Sequence, residues 1–215
     1  AYMGASEDEG FAGSMVGLFQ PRTVLLPMRW REVLDSDAFR VAVQRRQMAI
    51  STGSWQRGRL LALTFTIAGI ILSATLVGSS QLASAQGIVN FSLIFTLWSF
   101  LGLLTLPTPS RRGVAEVDHA LLAHGCDRNI LERTITHLDN LQDRERERPP
   151  LIETVFHPVP SVQARLHGPH ATGIKGTWNA ARTTVAISPA GLGLLGRAVH
   201  CNCGRPALWV FLPID

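Results

Sequence analysis

Charged side chains are scarce in this chain. Asp, Glu, Lys and Arg make up 17% of it, against the roughly 25% usual in soluble domains. The deficit is gathered in one stretch rather than spread evenly. Lysine is nearly missing: Lys175 is the only one, so arginine supplies almost all of the net charge of +4. Cysteine is sparse as well. Three thiols, Cys126, Cys201 and Cys203, are an odd number, which excludes a disulfide framework and fits reduced thiols facing the cytosol. No signal-peptide pattern opens the chain, whose start is polar and acidic at Glu7, Asp8 and Glu9. No P-loop and no CxxCH occurs. Residues 191–196, GLGLLG, place glycines suggestively, but their apolar neighbours read as a turn and not as a phosphate cradle. There is no arginine–aromatic stripe and no nucleic-acid module. The basic excess sits just before the first apolar stretch, so lipid head groups, not nucleic acid, are the expected partner.

What the chain has in plenty is apolar sequence, 46% of its residues. Leu60 to Gly78 reads LLALTFTIAGIILSATLVG, and Ile88 to Leu106 reads IVNFSLIFTLWSFLGLLTL. Neither contains a charge. Each approaches the roughly 20 residues that a helix needs to cross a hydrocarbon core. Both are apolar on every face, unlike the striped helix of a soluble core. Arg40, Arg45, Arg46, Arg57 and Arg59 precede the first stretch, and Arg111 and Arg112 follow the second. The loop at 79–87 carries no charge. By the positive-inside rule both flanks are cytoplasmic and the loop lies outside, in an inner or cytoplasmic membrane. Pro107 and Pro109 are expected to close the second helix.

The flanks divide the rest. Residues 1–59 hold a pair of short strands within 12–27 and then a helix from about Asp37 to Ser51, capped by Asp35 or Ser36. Residues 60–106 form the hairpin. Residues 107–167 form a helical cytoplasmic part. One helix there is capped by Ser110 and runs to about Ala123, and a second is capped by Asp127 and runs to about Arg144, where Pro149 and Pro150 stop it. Residues 168–215 are an apolar tail rich in Gly, Pro and Ala, with Trp178, Trp209 and Phe211 expected to pack on the membrane face or a partner. The fold class expected is therefore a mainly α membrane protein built on a two-helix transmembrane hairpin.

Three segments stand in a suggestive order around that hairpin: GLFQPRTVLLP at Gly17 to Pro27, SRRGVAEVD at Ser110 to Asp118, and FHPVPSVQARL at Phe156 to Leu166. Together they resemble the integral-membrane zinc metallopeptidases of the HtpX, CAAX-prenyl-protease and BlaR type. The resemblance covers roughly residues 10–167 and implies a minigluzincin-like frame. In that family an HExxH helix precedes the hairpin. Two His at i and i+4 hold zinc, and the Glu between them acts as general base. HExxH occurs nowhere here. The resemblance puts Arg45 at the first His, Arg46 at the Glu and Ala49 at the second His. It puts Val114 at the third ligand and Asp118 at the acid that supports a ligand. A shift of two residues in that motif would bring Glu116 to the ligand position instead. Arginine has no lone pair to give a metal. The resemblance thus implies a degenerate member with no catalytic residues, and Arg45 or Arg46 paired with Asp118.

Other metal constellations are weak. His119 and His124 stand five apart and share no helix face well. His157 reads as a packing or capping residue, and His167 and His170 as exposed loop residues. His200, Cys201 and Cys203 form the best remaining candidate, a structural zinc site short of a fourth ligand. No cofactor is otherwise expected. The function expected is that of a catalytically inactive structural or accessory subunit of a larger membrane complex, with the bilayer and other membrane subunits as partners. The alternatives are a client-binding regulator and an active protease with an atypical metal site.

Overall fold

A computed structural model describes residues 1–6, 11, 13–16, 23–142, 144–167 and 175–188. The described chain is mainly helical, with one small sheet. Strands β1 (Tyr2–Gly4), β2 (Ser14–Val16) and β3 (Thr23–Pro27) form that sheet in the order β1-β3-β2. β2 runs antiparallel to β3, with Met15 opposite Val24. This is the strand pair that the sequence predicts. The structure adds β1, parallel to β3 with Met3 opposite Leu26. Val24 and Leu26 point from the central strand into the core. Gly13 has φ +80°, and a Cβ there would lie 2.2 Å from the Leu25 carbonyl oxygen, so β2 is entered through a position only glycine fits.

After the short helix α1 (Trp30–Val33), α2 spans Ser36–Ser51. Asp35 caps it, its side chain accepting from the Ala38 amide at 2.8 Å. The buried face of α2 is Ala38, Val41, Ala42, Arg45, Arg46 and Ala49, at helical spacing. Two arginines therefore stand in the core stripe, where a hydropathy pattern expects apolar residues. Helix α3 (Ser54–Val77) follows after Gly53 in a left-handed turn, and so begins well before its uncharged portion.

Helices α3 and α4 (Ala85–Thr105) pack as an antiparallel hairpin. Glycines allow the close approach. A Cβ on Gly69 would lie 2.1 Å from the Trp98 ring, and one on Gly102 would lie 2.7 Å from Phe65. Trp98 stacks on Phe65 with centroids 4.6 Å apart and donates from Nε1 to the Phe65 carbonyl at 2.8 Å. Thr66 and Ser99, buried in the hairpin, donate to carbonyls one turn earlier in their own helices. Both helices are long and apolar enough to cross a membrane.

Helix α4 ends at Thr105, just before Pro107, as the sequence predicts, but a new helix starts at once on Pro107. This proline is the first residue of α5 (Pro107–Ala123), where its missing N–H costs nothing, and only Leu106, itself helical in backbone, separates α5 from α4. Ser110, expected as the cap, lies buried within α5. Helix α6 (Arg128–Leu141) is capped by Asp127 as predicted but ends before Arg144. It buries Leu131, Thr134, Ile135 and Leu138 and packs on α2. Pro149 and Pro150 open a helix, α7 (Pro150–Phe156), rather than ending one. Helix α8 (Val162–His167) follows, and α9 (Ala180–Ile187) packs on α3, α4 and α5. Residues 176–188, grouped with the tail by composition, are thus part of the packed frame.

Candidate functional site: a carboxylate between two buried arginines

The positions where the resemblance would place metal ligands come together on the facing sides of α2 and α5. Ala49 and Val114 are fully buried apolar contacts of one core cluster. Arg45 is 1% exposed, and its Nε donates to Asp118 Oδ1 at 2.9 Å. The expected arginine–Asp118 pair is present, and Arg45 makes it. Arg46 takes another course: its guanidinium carbon lies 4.8 Å from the centroid of the buried Trp30 ring.

A second arginine, which the sequence reading did not single out, completes the cluster. Arg165 on α8 donates from Nε to Asp118 Oδ2 at 2.9 Å and from Nη2 to Oδ1 at 3.1 Å. Asp118 therefore accepts three charge-assisted hydrogen bonds and joins α2, α5 and α8. Its carboxylate is held by two cations that neither release a proton near neutral pH nor offer a lone pair. The chemistry of this donor set is ion pairing, and a divalent cation placed among these groups would face Arg45 and Arg165.

The same region is closed by residues 176–181. Gly176 N–H donates to Glu116 Oε2 at 2.9 Å, and its carbonyl accepts from Arg57 Nε at 3.0 Å. Thr177 N–H reaches the Pro109 carbonyl and Trp178 N–H the Ser54 carbonyl, each at 3.0 Å. Ala181 N–H donates to Ser110 Oγ at 3.1 Å. This strap lies between the first turns of α3 and α5. The fit depends on two helix glycines. A Cβ on Gly58 would be 2.3 Å from the Trp178 carbonyl oxygen, and one on Gly113 would be 2.3 Å from Thr177 C. Trp178 is 1% exposed, with Arg45 Cζ 5.7 Å from its ring centroid. The sequence put Trp178 on a membrane face or a partner; here it is core.

Glu116 is fully engaged. Arg57 Nη2 bonds both of its oxygens, at 2.9 and 2.8 Å, and Arg57 Nη1 donates to the Thr52 carbonyl at 2.9 Å. Two residues before Asp118, Glu116 is turned about 200° around the helix axis. Asp118 thus faces α2 and α8, while Glu116 faces α3 and the strap.

His119 and His167 line one small cleft with Asp118 and Arg165. His124 sits at the far end of α5 in a separate open cleft with Cys126. Burial, and then the neighbouring Asp127 carboxylate, push the Cys126 thiol pKa up. His157 terminates α7, its amide bonding the Glu153 carbonyl. No group of three or more metal-ligating side chains gathers among the described residues. His170, His200, Cys201, Cys203 and the 191–196 glycines lie outside them. The signals available for the missed residues were slight: an Arg ending the HP segment, and glycines at matching depths in α3 and α5. Compared with family models, curated proteins and solved structures, the chain shows no match.

Proposed function

We propose that this chain is a two-span integral membrane protein with a metallopeptidase-like but catalytically inactive frame, acting as a structural or accessory subunit of a larger membrane complex. The observation that carries the inactive reading is Asp118, bound by Arg45 and Arg165 where the resemblance would have a metal site. Trp178 supports the same arrangement from the strap, its buried ring 5.7 Å from the Arg45 guanidinium carbon. The membrane reading rests on exposure. Leu60, Ile67, Ile71, Leu76, Leu93 and Leu97 are each more than half exposed along α3 and α4, whereas the core helix of a soluble protein hides such residues. On this reading both flanks are cytoplasmic and the 79–87 loop is external, in the inner or cytoplasmic membrane. The bilayer and neighbouring subunits are the partners, and nucleic acid is not. The alternative is a regulator that holds membrane clients without cutting them.

The test is purification of the full chain in mild detergent, with mass spectrometry of what remains bound. A constant set of partners at fixed stoichiometry supports the subunit. A shifting population of clients supports the regulator, and a lone chain in every mild detergent sinks both.

A further inference from the structure

Helix α7 presents an unusual surface for a segment outside the hairpin. Leu151 is 77% exposed, Ile152 47% and Phe156 59%. At 100° per residue these three fall within about 140° of one another, a single face. The opposite side is anchored: Glu153 is buried, and the Arg111 guanidinium donates to its backbone carbonyl. Among the described residues, large apolar side chains stand exposed on α3, α4 and α7; elsewhere only Tyr2, Met28 and Ile187 do so.

The place of α7 says what covers this face. It packs on α4 and α5. Arg111 lies six residues beyond Thr105, the last residue of α4, and α5 continues α4 with one helical residue between. At 1.5 Å per residue, that contact is about 9 Å past the end of the apolar span. Interfacial helices bury their apolar face about 5–10 Å into the boundary between head groups and acyl chains. Helix α7 thus sits in the zone just outside the apolar span, held there by the cationic Arg111, and its exposed apolar side chains add to those left exposed at the end of α4, Phe100 and Leu101.

We infer that α7 is an interfacial membrane helix, lying in the cytoplasmic leaflet with Leu151, Ile152 and Phe156 against acyl chains and Arg111 near lipid phosphates. This rests on the reading of α3 and α4 as membrane spans. It changes the role of 107–167 from a wholly aqueous part to one docked on the bilayer, which fixes the tilt of the frame relative to the membrane.

Nitroxide accessibility tests it. The full chain, with Cys126, Cys201 and Cys203 replaced by serine, is reconstituted into nanodiscs containing a minority of anionic lipid. Labels are introduced singly by Leu151→Cys, Phe156→Cys, Thr154→Cys and Leu97→Cys. The expected result is a label at 97 deep in the bilayer, labels at 151 and 156 reached by oxygen and shielded from a nickel chelate at shallower depth, and a label at 154 more open to the chelate. Labels at 151 and 156 as open to nickel as that at 154, with 97 still deep, overturn the α7 inference alone. Labels at 151 and 156 shielded from both reagents also overturn it, in favour of a protein contact. A label at 97 open to nickel overturns the membrane reading itself.

Discussion

Arg57 and Glu116, 59 positions apart in the chain, meet through one guanidinium nitrogen that lies 2.9 and 2.8 Å from the two carboxylate oxygens. The pair does more than join α3 to α5. Both partners also hold Gly176, one through its carbonyl and one through its amide. Glu116→Gln should therefore loosen the strap before it unfolds the frame. The side chains are 31% and 21% exposed, so solvent screening keeps the expected global loss to about 1 kcal/mol or less. Hydrogen exchange at the Gly176, Thr177 and Trp178 amides should rise well ahead of exchange in α5. Equal acceleration throughout would contradict the clamp.

Asp118 is a different case, because its partners are buried. Asp118→Asn leaves two guanidinium groups without their carboxylate and should cost about 3–5 kcal/mol. Its effect should change little between low and high salt, since buried pairs are poorly screened. Thermal unfolding in detergent at two ionic strengths reads both features. A loss below about 1 kcal/mol would mean the cluster holds nothing together.

Gly113→Ala separates helix propensity from strap packing. Alanine is favoured over glycine inside a helix by about 1 kcal/mol. Here its methyl would meet the Thr177 and Trp178 backbone at 2.3–2.7 Å. The expected outcome is destabilisation and loss of Trp178 burial, seen as a red shift of tryptophan emission. A more stable protein would show that the strap does not lie against α5.

Cys126 should alkylate slowly. Its pKa is raised by burial first and by Asp127 second, so at a given pH less thiolate is present than for an open cysteine. Asp127→Asn keeps a capping side chain on α6 while removing the charge, and should speed the reaction. With Cys201 and Cys203 replaced by serine, iodoacetamide rates across pH 7–10 measure it. A rate equal to that of a free peptide thiol would refute the shift.

Asp35 titrates in the opposite direction. Its carboxylate is held below the ordinary carboxylate range, chiefly by the Ala38 amide, with Arg133 and His137 helping. The folded state therefore favours the ionised form. The stability it contributes is fully present above the unfolded-state pKa and is lost as pH falls through the lower folded value. Asp35→Ala should destabilise the chain at pH 7 and cease to matter in strong acid. A penalty that persists in acid would assign the cap to something other than charge.

Much of this architecture is legible in the sequence, and the gaps have physical causes. The apolar runs of α3 and α4 carry their own signal, and Asp35 and Asp127 mark helix starts because a short acidic side chain reaches orphan amides. Strand β1 is three residues long and has no room for an alternating pattern. Arg45 and Arg46 read as solvent charges at the foot of a span, yet they stand in the buried stripe of α2. Pairing of Arg45 with Asp118, stacking of Arg46 on Trp30 and the Trp178 ring beside Arg45 help make that tolerable, and Asp118 and Trp178 are distant in sequence. The strap is least legible of all. It is held largely through its own backbone groups, against glycine surfaces and the side chains of Arg57, Ser110 and Glu116, and a backbone contact leaves almost no trace in residue type.

The most direct test of the central claim is zinc binding by the full chain. Equilibrium dialysis is run on the detergent-solubilised protein and on its Cys201→Ser/Cys203→Ser variant. The account predicts that any tightly held zinc disappears with those two cysteines. Tight zinc that survives their loss and is then released by Asp118→Asn would place a metal where Arg45 and Arg165 hold the carboxylate, and would contradict it.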